Sequence, residues 1–420
     1  MEPDPPTASP PRSARSDPPP DHPTPTVLDG DHRLERIEVH LLSLPLRQPF
    51  AAAHGTMTER LVSVVAVEAG GITGWGECSA LPHAGYTRED AVSSARFLGE
   101  NLAPALIGRP LAVLTERAGP VAAGSQESVG ELDHPMAVAA LEMAGLDVGL
   151  RAAGCSLARY LAEHHGDGRP PDTRPAGVAV GLASPDDTVQ QVAALVAEGY
   201  RRVKLKIEPG HDLTVVAAVA AACPGLELQV DANGAYRADD PGHRATIEAL
   251  VAGGPTWGLT ALEQPFAAEA VPAAAFAVAA AGSGVRIVAD EAAPDLTSVQ
   301  RLAADGALSA VSVKPPRLGG LIRAAEVHDW CRATGLAATA GGMVETGLGR
   351  HALAALAALP GFTLTGDLSP AGRWLTVDPF PDLVLHSGAV TVPAGPGVAG
   401  DPNTRLLRRV TVDRWRATGG

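Results

Sequence analysis

The stretch VKLKIEPG, residues 203–210, contains two of the three lysines of this chain, Lys204 and Lys206. The third, Lys314, lies in VSVKPPRLGG, and the other 30 of the 33 Lys and Arg side chains are arginines. An arginine stays protonated at any ordinary pH, whereas a lysine can lose its proton when burial or a neighbouring cation favours the neutral amine. The three lysines therefore mark positions at which the protein needs a base.

The same stretch is one of eight short runs rich in β-branched residues, each followed by an alanine-rich helical segment and a glycine-containing turn. The runs are AGVAVGL, RRVKLKIE, LELQVDA, TALEQPF, VRIVADE, AVSVKPP, AATAGGM and FTLTGDL. Strands that alternate with helices in this way form consecutive βα units, and eight such units indicate a closed parallel barrel.

The residues before this repeat have a different pattern, which begins at about Arg36. Strand-like alternation in IEVHLLSLPL, LVSVVAVEA and ITGWGECSAL is followed by helical spacing in TREDAVSSARFLGENLAPAL and HPMAVAALEMAGLDVGLRAAG. We expect this block to be an α+β domain. A polar stretch rich in Gly and Pro, HHGDGRPPDTRP at residues 164–175, separates it from the barrel.

These patterns predict four segments. Residues 1–30 hold 10 of the 37 prolines and almost no large apolar side chain, which indicates a disordered tail. The C-terminal segment contains no further βα unit and is expected to return to the first domain. The predicted bounds are 1–35 for the tail, 36–165 for the α+β domain, 176–385 for the barrel and 386–420 for the C-terminal segment.

Charge and cysteine content disfavour several classes of protein. A net charge of −14 disfavours nucleic acid and anionic membranes as partners, and no apolar stretch is built to span a bilayer. Cys78, Cys155, Cys223 and Cys331 form no CxxC pair, which is typical of reduced cytoplasmic thiols rather than of zinc sites or disulfides. We therefore expect a cytoplasmic protein, monomeric or homo-oligomeric, that binds a small molecule.

Ionisable residues interrupt the barrel runs where the predicted strands end. They are Lys204 and Lys206 in the second run, Asp231 in the third, Glu263 in the fourth, Asp290 in the fifth and Lys314 in the sixth. The C-terminal ends of parallel barrel strands meet at one mouth, where such enzymes carry out their chemistry. We therefore expect these six groups to share one pocket.

The three acids, Asp231, Glu263 and Asp290, indicate a metal site. Carboxylates on three adjacent strands repel one another unless a cation neutralises them. Oxygen-only ligation favours Mg²⁺, with Mn²⁺ as a substitute, and leaves coordination positions free for a substrate carboxylate. Taken singly, each acid could instead be a salt-bridged residue at a strand end, so it is the ordered set that favours the metal.

The lysines complete the predicted chemistry. Residues i and i+2 of a strand point to the same face, so Lys204 lies beside Lys206 and favours its unprotonated form. Lys314 lies on the opposite side of the ring and faces Lys206 across the pocket. An α-proton removed from a metal-bound carboxylate leaves an enediolate that the metal stabilises. The alternative, two surface lysines with hydrated ammonium groups, fits poorly with so few lysines.

These residues resemble a known family. KLK, DANGAY, EQPF, ADE and VKPPRLGG occur in the order found in the muconate-lactonising branch of the enolase superfamily. GGMVETGLGR at 341–350 is similar to the o-succinylbenzoate synthase and N-succinylamino acid racemase group of that branch. The resemblance covers about residues 36–412, including PLRQPF, GWGECSAL and ALEMAGLDVGL. It implies a modified TIM barrel, (β/α)7β, with an α+β capping domain that the C-terminal end of the chain completes.

The resemblance implies a role for each of the strand-end residues. Lys206 would be the base on one face of the substrate, Lys314 the acid/base or cationic stabiliser on the other, and Lys204 the residue that tunes Lys206. The metal ligands would be Asp231, Glu263 and Asp290, and the metal Mg²⁺.

The resemblance also implies a substrate-binding region. The predicted substrate-binding residues are Gly341, Gly342, Met343 and Arg317. The glycines, which lack a Cβ, would let backbone atoms approach the succinyl part of the substrate. Arg317 either contacts an anionic substrate or caps the helix after Gly319–Gly320, and Pro316 departs from the glycine of the family pattern. AAAHGTMTER at residues 51–60 matches a flexible lid, in which His54 is expected to face solvent.

Two reactions share this predicted site. The first is the Mg-assisted dehydration of 2-succinyl-6-hydroxy-2,4-cyclohexadiene-1-carboxylate to 2-succinylbenzoate in menaquinone biosynthesis, in which one lysine moves the proton and the other stays cationic. The second is racemisation of N-succinylamino acids, in which both lysines exchange protons. A Schiff-base barrel lyase is the alternative from a different class, and the three acids argue against it. A binding module without activity would lack a ligand or base, and none is missing.

Overall fold

The computed structural model describes residues 32–53, 55–116, 134–270 and 282–419. Most of the predicted proline-rich tail, and His54, lie outside these residues. The first strand, β1, begins at Leu34, which is buried. The folded part of the chain therefore starts before residue 36, because Leu34 already belongs to the apolar core.

The first sheet is antiparallel and has the strand order β14-β1-β2-β3 within the described part of the chain. Its strands are β1 Leu34–Ala52, β2 Gly55–Ala69, β3 Ile72–Cys78 and β14 Thr411–Thr418. The alternating apolar residues of β1 and β2 face a core that is closed by helices. These helices are Ala91–Arg96, Ala103–Leu106, Pro135–Ala152 and Leu157–His165, with a π-helical turn Phe97–Leu102 between the first two. Among the described residues, the last strand, β14, pairs with the first, β1.

The helix Pro135–Ala152 lies unusually close to β3. Gly74 and Gly76 on this strand face the helix, and a Cβ at Gly76 would overlap the carbonyl oxygen of Ala140. The close approach buries 15 consecutive residues of the helix, from Met136 to Leu150. Two glycines in a strand thus serve packing, because only a missing side chain lets a helix backbone come this near.

Replacing Gly76 with alanine is expected to lower the free energy of unfolding by about 3 kcal/mol, since the helix backbone must move to admit the Cβ. Urea denaturation measures the loss. Gly395→Ala is the matched control, because a Cβ at this exposed position meets nothing within 4 Å. Equal stabilities of the two variants would contradict the close packing.

The second sheet is parallel, with strands in the order β11-β10-β9-β8-β7-β6-β5. Its strands are β5 Gly177–Val180, β6 Arg202–Lys206, β7 Glu227–Asp231, β8 Leu259–Glu263, β9 Arg286–Ala289, β10 Ala310–Val313 and β11 Ala337–Ala340. The helices that the structure describes in this region are Pro185–Ala197, Leu213–Ala222, Pro241–Trp257, Leu296–Ala304, Pro315–Leu318, Leu321–Thr334 and Gly347–Ala357. Six of the first seven predicted runs contain one of these strands, and β8 begins one residue before the fourth run, TALEQPF. No helix in the described ranges is long and apolar enough to cross a membrane.

The eighth predicted run, FTLTGDL, is not a regular strand but closes the ring. On one side Leu364 N and Asp367 N donate to the carbonyl oxygens of Ala338 and Ala340 in β11 at 3.1 and 2.8 Å. On the other side Gly177 N in β5 donates to Gly366 O at 2.9 Å. Because its backbone forms hydrogen bonds with both β11 and β5, this segment takes the place of an eighth strand and closes a modified (β/α)7β barrel.

The remaining elements lie beyond the barrel. The helix Thr404–Val410 leads into β14, and a small antiparallel sheet joins β12 Leu385–His386, β13 Ala389–Thr391 and β4 Thr173–Pro175. The architecture is thus an α/β barrel with an α+β capping domain.

Candidate active site

The predicted site residues stand in register at the C-terminal ends of neighbouring strands. Lys206 in β6 is opposite Asp231 in β7, and Asp231 is opposite Glu263 in β8. Asp290 directly follows β9 and Lys314 directly follows β10. The parallel register brings all five residues to the same end of the barrel.

A cavity of about 320 Å³ opens at this end, between the barrel and the capping domain. The barrel contributes Lys206, Asn233, Lys314, Gly342, Met343 and Val344. The capping domain contributes Phe50, Ala52, Gly55–Glu59, Leu61, Leu81–His83 and Tyr86. The segment predicted to form a lid is thus largely the hairpin between β1 and β2, and it forms one wall of the cavity.

The three predicted substrate-binding residues after β11 occupy different places. Gly342 and Met343 line the cavity, whereas Gly341 lies against the side chain of Lys314. A Cβ at Gly341 would come within 2.7 Å of Lys314 Cε, so a glycine here makes room for the lysine. Contact of these residues with a substrate stays a prediction.

One carboxylate oxygen of each of the three acids accepts a hydrogen bond from a lysine. The pairs are Lys206–Asp231 at 2.7 Å, Lys204–Glu263 at 2.8 Å and Lys314–Asp290 at 2.7 Å. Lys206 also donates to Asn233 Oδ1 at 2.5 Å. All three lysines of the chain therefore meet the acids of this site, which agrees with the scarcity of lysine elsewhere.

The charges of this cluster shift the pKa values of its acids. Burial raises the pKa of Asp290, but Lys314 and Arg317 outweigh burial and hold it below its ordinary value. Burial likewise raises the pKa of Asp231, and Lys206 with Lys204 brings it below the ordinary value. Both acids are carboxylates at neutral pH.

Lys314 and Glu263 have pKa values above their ordinary ranges. Burial lowers the pKa of Lys314, but the Asp290 carboxylate outweighs burial and holds this pKa well above the usual value. For Glu263 burial dominates and raises the pKa, which Lys204 only partly offsets. Lys314 is therefore a cation, and Glu263 is the acid whose charge the protein compensates least.

The surroundings of the three acids bear on whether they can hold a divalent cation. Among the described residues, no three His, Cys, Asp or Glu side chains are arranged to hold a metal ion. One oxygen of each of the three acids accepts a hydrogen bond from a lysine. Glu263 Oε1, however, is buried and has no hydrogen-bond partner in the described part of the chain. A buried carboxylate oxygen without a partner is costly, and a hard cation would satisfy it. The all-oxygen donor set fits Mg²⁺.

Asp367 belongs to this site although sequence reasoning missed it. Its carboxylate accepts from Lys204 Nζ at 2.7 Å and from Arg202, and both partners are buried. Burial raises the pKa of Asp367, but Lys204 and Arg202 outweigh burial and hold it well below the ordinary value. A signal existed, because Asp367 ends the eighth run as the other acids end theirs. The predicted influence of Lys204 on Lys206 stays a prediction.

Arg317 does not line the cavity and does not cap the following helix. It is 3% exposed, pairs with Asp290 and donates to Ser312 O at 2.7 Å. The helix Leu321–Thr334 has Gly320 at its N-cap, without a side-chain hydrogen bond. The capping alternative is therefore wrong, and the position of Arg317 indicates that it holds Asp290. A contact between Arg317 and substrate stays a prediction.

The order and spacing of these residues agree with known protein families. A family model described as enolase C-terminal domain-like matches residues 187–405, which is more than half of the chain. A second model, the N-terminal domain of mandelate racemase and muconate lactonizing enzyme, matches residues 36–162. This chain belongs to the enolase superfamily.

Relatives with two different activities are similar over almost the whole chain. The o-succinylbenzoate synthase of Bacillus subtilis (strain 168) is 31% identical, covering 90% of this chain and 96% of that protein. The N-succinylamino acid racemase of an Amycolatopsis species is 37% identical, covering 90% and 98%. An enolase superfamily structure from Listeria innocua has a TM-score of 0.78 at 27% identity, covering 92% and 99%.

In this member of the superfamily, the buried Arg60 connects three walls of the cavity. Its guanidinium donates to the carbonyl oxygens of Ser79 at 2.6 Å, Ala80 at 2.5 Å and Val344 at 3.1 Å. Arg60 itself lies on β2, at the base of the hairpin. Through backbone acceptors on two segments, Arg60 fixes its own hairpin, the residues after β3 and the loop after β11 relative to one another.

Two buried glutamates of the capping domain hold barrel helices. Glu77 on β3 accepts from Thr346 Oγ1 at 2.6 Å and from Gly349 N at 3.1 Å, at the start of the helix Gly347–Ala357. Glu142 accepts from Ile322 N at 3.0 Å, at the start of Leu321–Thr334. Backbone N–H groups at helix N-termini favour such acceptors. The loops that precede both helices lead from the cavity, so these contacts join the two domains behind it.

Burial raises the pKa of Glu77 to about 7, above the ordinary value of 4.5. A carboxyl group whose folded-state pKa is raised stabilises the fold below its unfolded pKa, and this stabilisation is lost as pH rises through about 7. We therefore expect the unfolding free energy of wild type, relative to Glu77→Gln, to fall by up to about 3 kcal/mol between pH 5 and pH 8.

Urea denaturation of both proteins at each pH measures this difference, and the histidines common to both cancel. Glu248→Gln, at an exposed position of the helix Pro241–Trp257, is the control and should leave the pH dependence unchanged. A wild-type advantage over Glu77→Gln that grows with pH would contradict the raised pKa.

Proposed function

We propose that this protein is an o-succinylbenzoate synthase, which removes the α-proton of a cyclohexadiene carboxylate and eliminates water to give 2-succinylbenzoate. The observation that carries the proposal is that Lys206 and Lys314 both line one cavity. Each of them donates a hydrogen bond to a carboxylate, Asp231 and Asp290 respectively. The cavity, of about 320 Å³, is large enough for a substrate of this size.

Lys206 is the base in this proposal. Its amine is part of the cavity wall, and Asp231 and Asn233 fix its direction through hydrogen bonds of 2.7 and 2.5 Å. The amine takes the α-proton, and the electron pair of the broken C–H bond moves towards the substrate carboxylate, which becomes an enediolate. As the enediolate collapses, this pair forms the new C=C bond and the C–O bond breaks, while Lys206 returns the proton to the departing hydroxyl group, so that water leaves and the enzyme recovers its starting state.

Lys314 is the cation in this proposal. The Asp290 carboxylate keeps its pKa well above the ordinary value despite burial, so it stays protonated while the proton moves at Lys206. A fixed positive charge stabilises the negative charge that grows on the substrate carboxylate. One mobile proton and one permanent cation are what dehydration requires.

Asp231, Glu263 and Asp290 are the residues that would hold Mg²⁺. When bound, the ion would supply positive charge to the substrate carboxylate and so make its α-proton more acidic. The buried, unpartnered oxygen of Glu263 supports this assignment. We also propose that the protein is cytoplasmic.

Racemisation of N-succinylamino acids is the second candidate. The observation in its favour is the 37% identity with the Amycolatopsis racemase over 90% of this chain. In that reaction Lys206 and Lys314 would each exchange a proton with the α-carbon. The same cavity would serve both reactions, because both begin with removal of an α-proton from a succinylated carboxylate.

Two assays of the purified protein with Mg²⁺ distinguish dehydration from racemisation. Absorbance follows formation of 2-succinylbenzoate from the cyclohexadiene carboxylate, and polarimetry follows racemisation of N-succinyl-L-phenylalanine. We expect a higher kcat/KM for dehydration. Strong racemisation with no detectable dehydration would reverse the order of the two candidates, and activity that survives EDTA together with borohydride trapping would point to imine chemistry instead.

A further inference from the structure

Tyr86 of the capping domain contacts both members of the Lys314–Asp290 pair. Its hydroxyl donates a hydrogen bond to Asp290 Oδ1 at 2.9 Å, and Lys314 Nζ lies 4.7 Å from the centroid of its ring. Tyr86 is 8% exposed and forms part of the cavity wall. We propose that Tyr86 is a positioning residue, which holds the ammonium group of Lys314 in place through its ring.

The ion pair with Asp290 is not exclusive to Lys314. Asp290 also pairs with Arg317, so its charge is shared between two cations. A lysine side chain has four flexible carbons, and an aromatic face over a desolvated ammonium group adds up to about 2 kcal/mol of attraction. Since Lys314 is 4% exposed, little water competes with the ring. The ring therefore restricts where the ammonium group can move.

Through Tyr86, the capping domain helps to place the cation of the barrel. Tyr86 follows the residues Leu81–His83, which line the cavity, and the segment is tied back by Ala91 N, which donates to Leu81 O at 2.8 Å. Lys314 comes from the barrel. Correct placement of the cation therefore depends on docking of the two domains. This inference rests on the proposed function, in which Lys314 supplies the fixed charge.

The scarcity of lysine allows a direct test by NMR. Protein labelled with ¹³C only in lysine gives ε-methylene signals from three residues, and Lys314→Arg assigns the signal of Lys314. We expect the ring current to shift the Lys314 signal in wild type and in Tyr86→Phe, and the shift to vanish in Tyr86→Leu. A Lys314 signal that is unchanged in folded Tyr86→Leu would overturn the inference.

Kinetics with the substrate that wild type turns over tests the consequence. Tyr86→Leu is expected to lower kcat roughly 30-fold with little change in KM, which corresponds to about 2 kcal/mol. Tyr86→Phe keeps the ring and should recover most of this loss. Tyr160→Leu is the matched control, because Tyr160 is also buried but lies on the helix Leu157–His165 outside the cavity.

The outcomes separate the two proposals. Equal kcat values for Tyr86→Leu and Tyr160→Leu would overturn the positioning role, even with the NMR shift as expected. If wild type turns over neither the cyclohexadiene carboxylate nor the N-succinylamino acid, the proposed function fails. The NMR signal of Lys314 would still show whether the ring of Tyr86 lies against this residue.

Discussion

Replacing Lys206 with arginine is expected to lower kcat about 10⁴-fold while the protein remains folded. An arginine can keep the ion pair with Asp231, since it carries the same charge as a protonated lysine. It cannot act as a base, because its guanidinium does not release a proton at any pH the protein survives. The expected loss is therefore one of proton transfer and not of packing.

Steady-state kinetics and α-proton exchange in D₂O measure this effect. Thermal unfolding of the variant should match wild type within a few degrees, because the charge is retained. The control is Arg201→Lys, which makes the reverse exchange at an exposed position just before β6. A Lys206→Arg variant with more than a tenth of wild-type kcat would end the assignment of Lys206 as the base.

Removal of divalent cations by EDTA is expected to abolish activity, and Mg²⁺ or Mn²⁺ to restore it. Binding should also stabilise the fold by about 2.7 kcal/mol at a concentration 100-fold above Kd, which thermal unfolding detects without any substrate. The physical reason lies at Glu263, whose pKa burial raises and whose Oε1 has no partner among the described residues. A cation there would satisfy the oxygen and favour the carboxylate form.

Glu263→Gln tests the metal site with the same readout. This variant keeps the shape of the side chain but lacks the charge, so we expect it to lose both the Mg²⁺-dependent rise in Tm and the activity. Glu269→Gln, at an exposed position in the turn Ala268–Ala270, is the matched control and should behave as wild type. A Tm of wild type that does not respond to Mg²⁺ would refute the metal assignment.

Local patterns alone determined the barrel and the position of its acids. The repeat of β-branched runs and alanine-rich helices predicts parallel strands, and a parallel strand brings the residue at its C-terminal end to the mouth of the barrel. Asp231, Glu263 and Asp290 follow from this rule without any knowledge of contacts. Asp367 lies at the end of the eighth run in the same way, but this glycine-containing run is not a regular strand and carries a weaker strand signal.

Only the tertiary structure decided the walls of the cavity and the partners of its charged groups. Tyr86 reaches Asp290 across 204 positions of sequence, and Arg60 reaches Val344 across 284. Arg317 was predicted either to contact substrate or to cap a helix, and its pairing with Asp290 could not be predicted from the local sequence. Side-chain spacing along one segment determines which face of a strand or helix is buried, since that periodicity is local. Which distant group meets that face depends on how two domains dock, and no local periodicity records it.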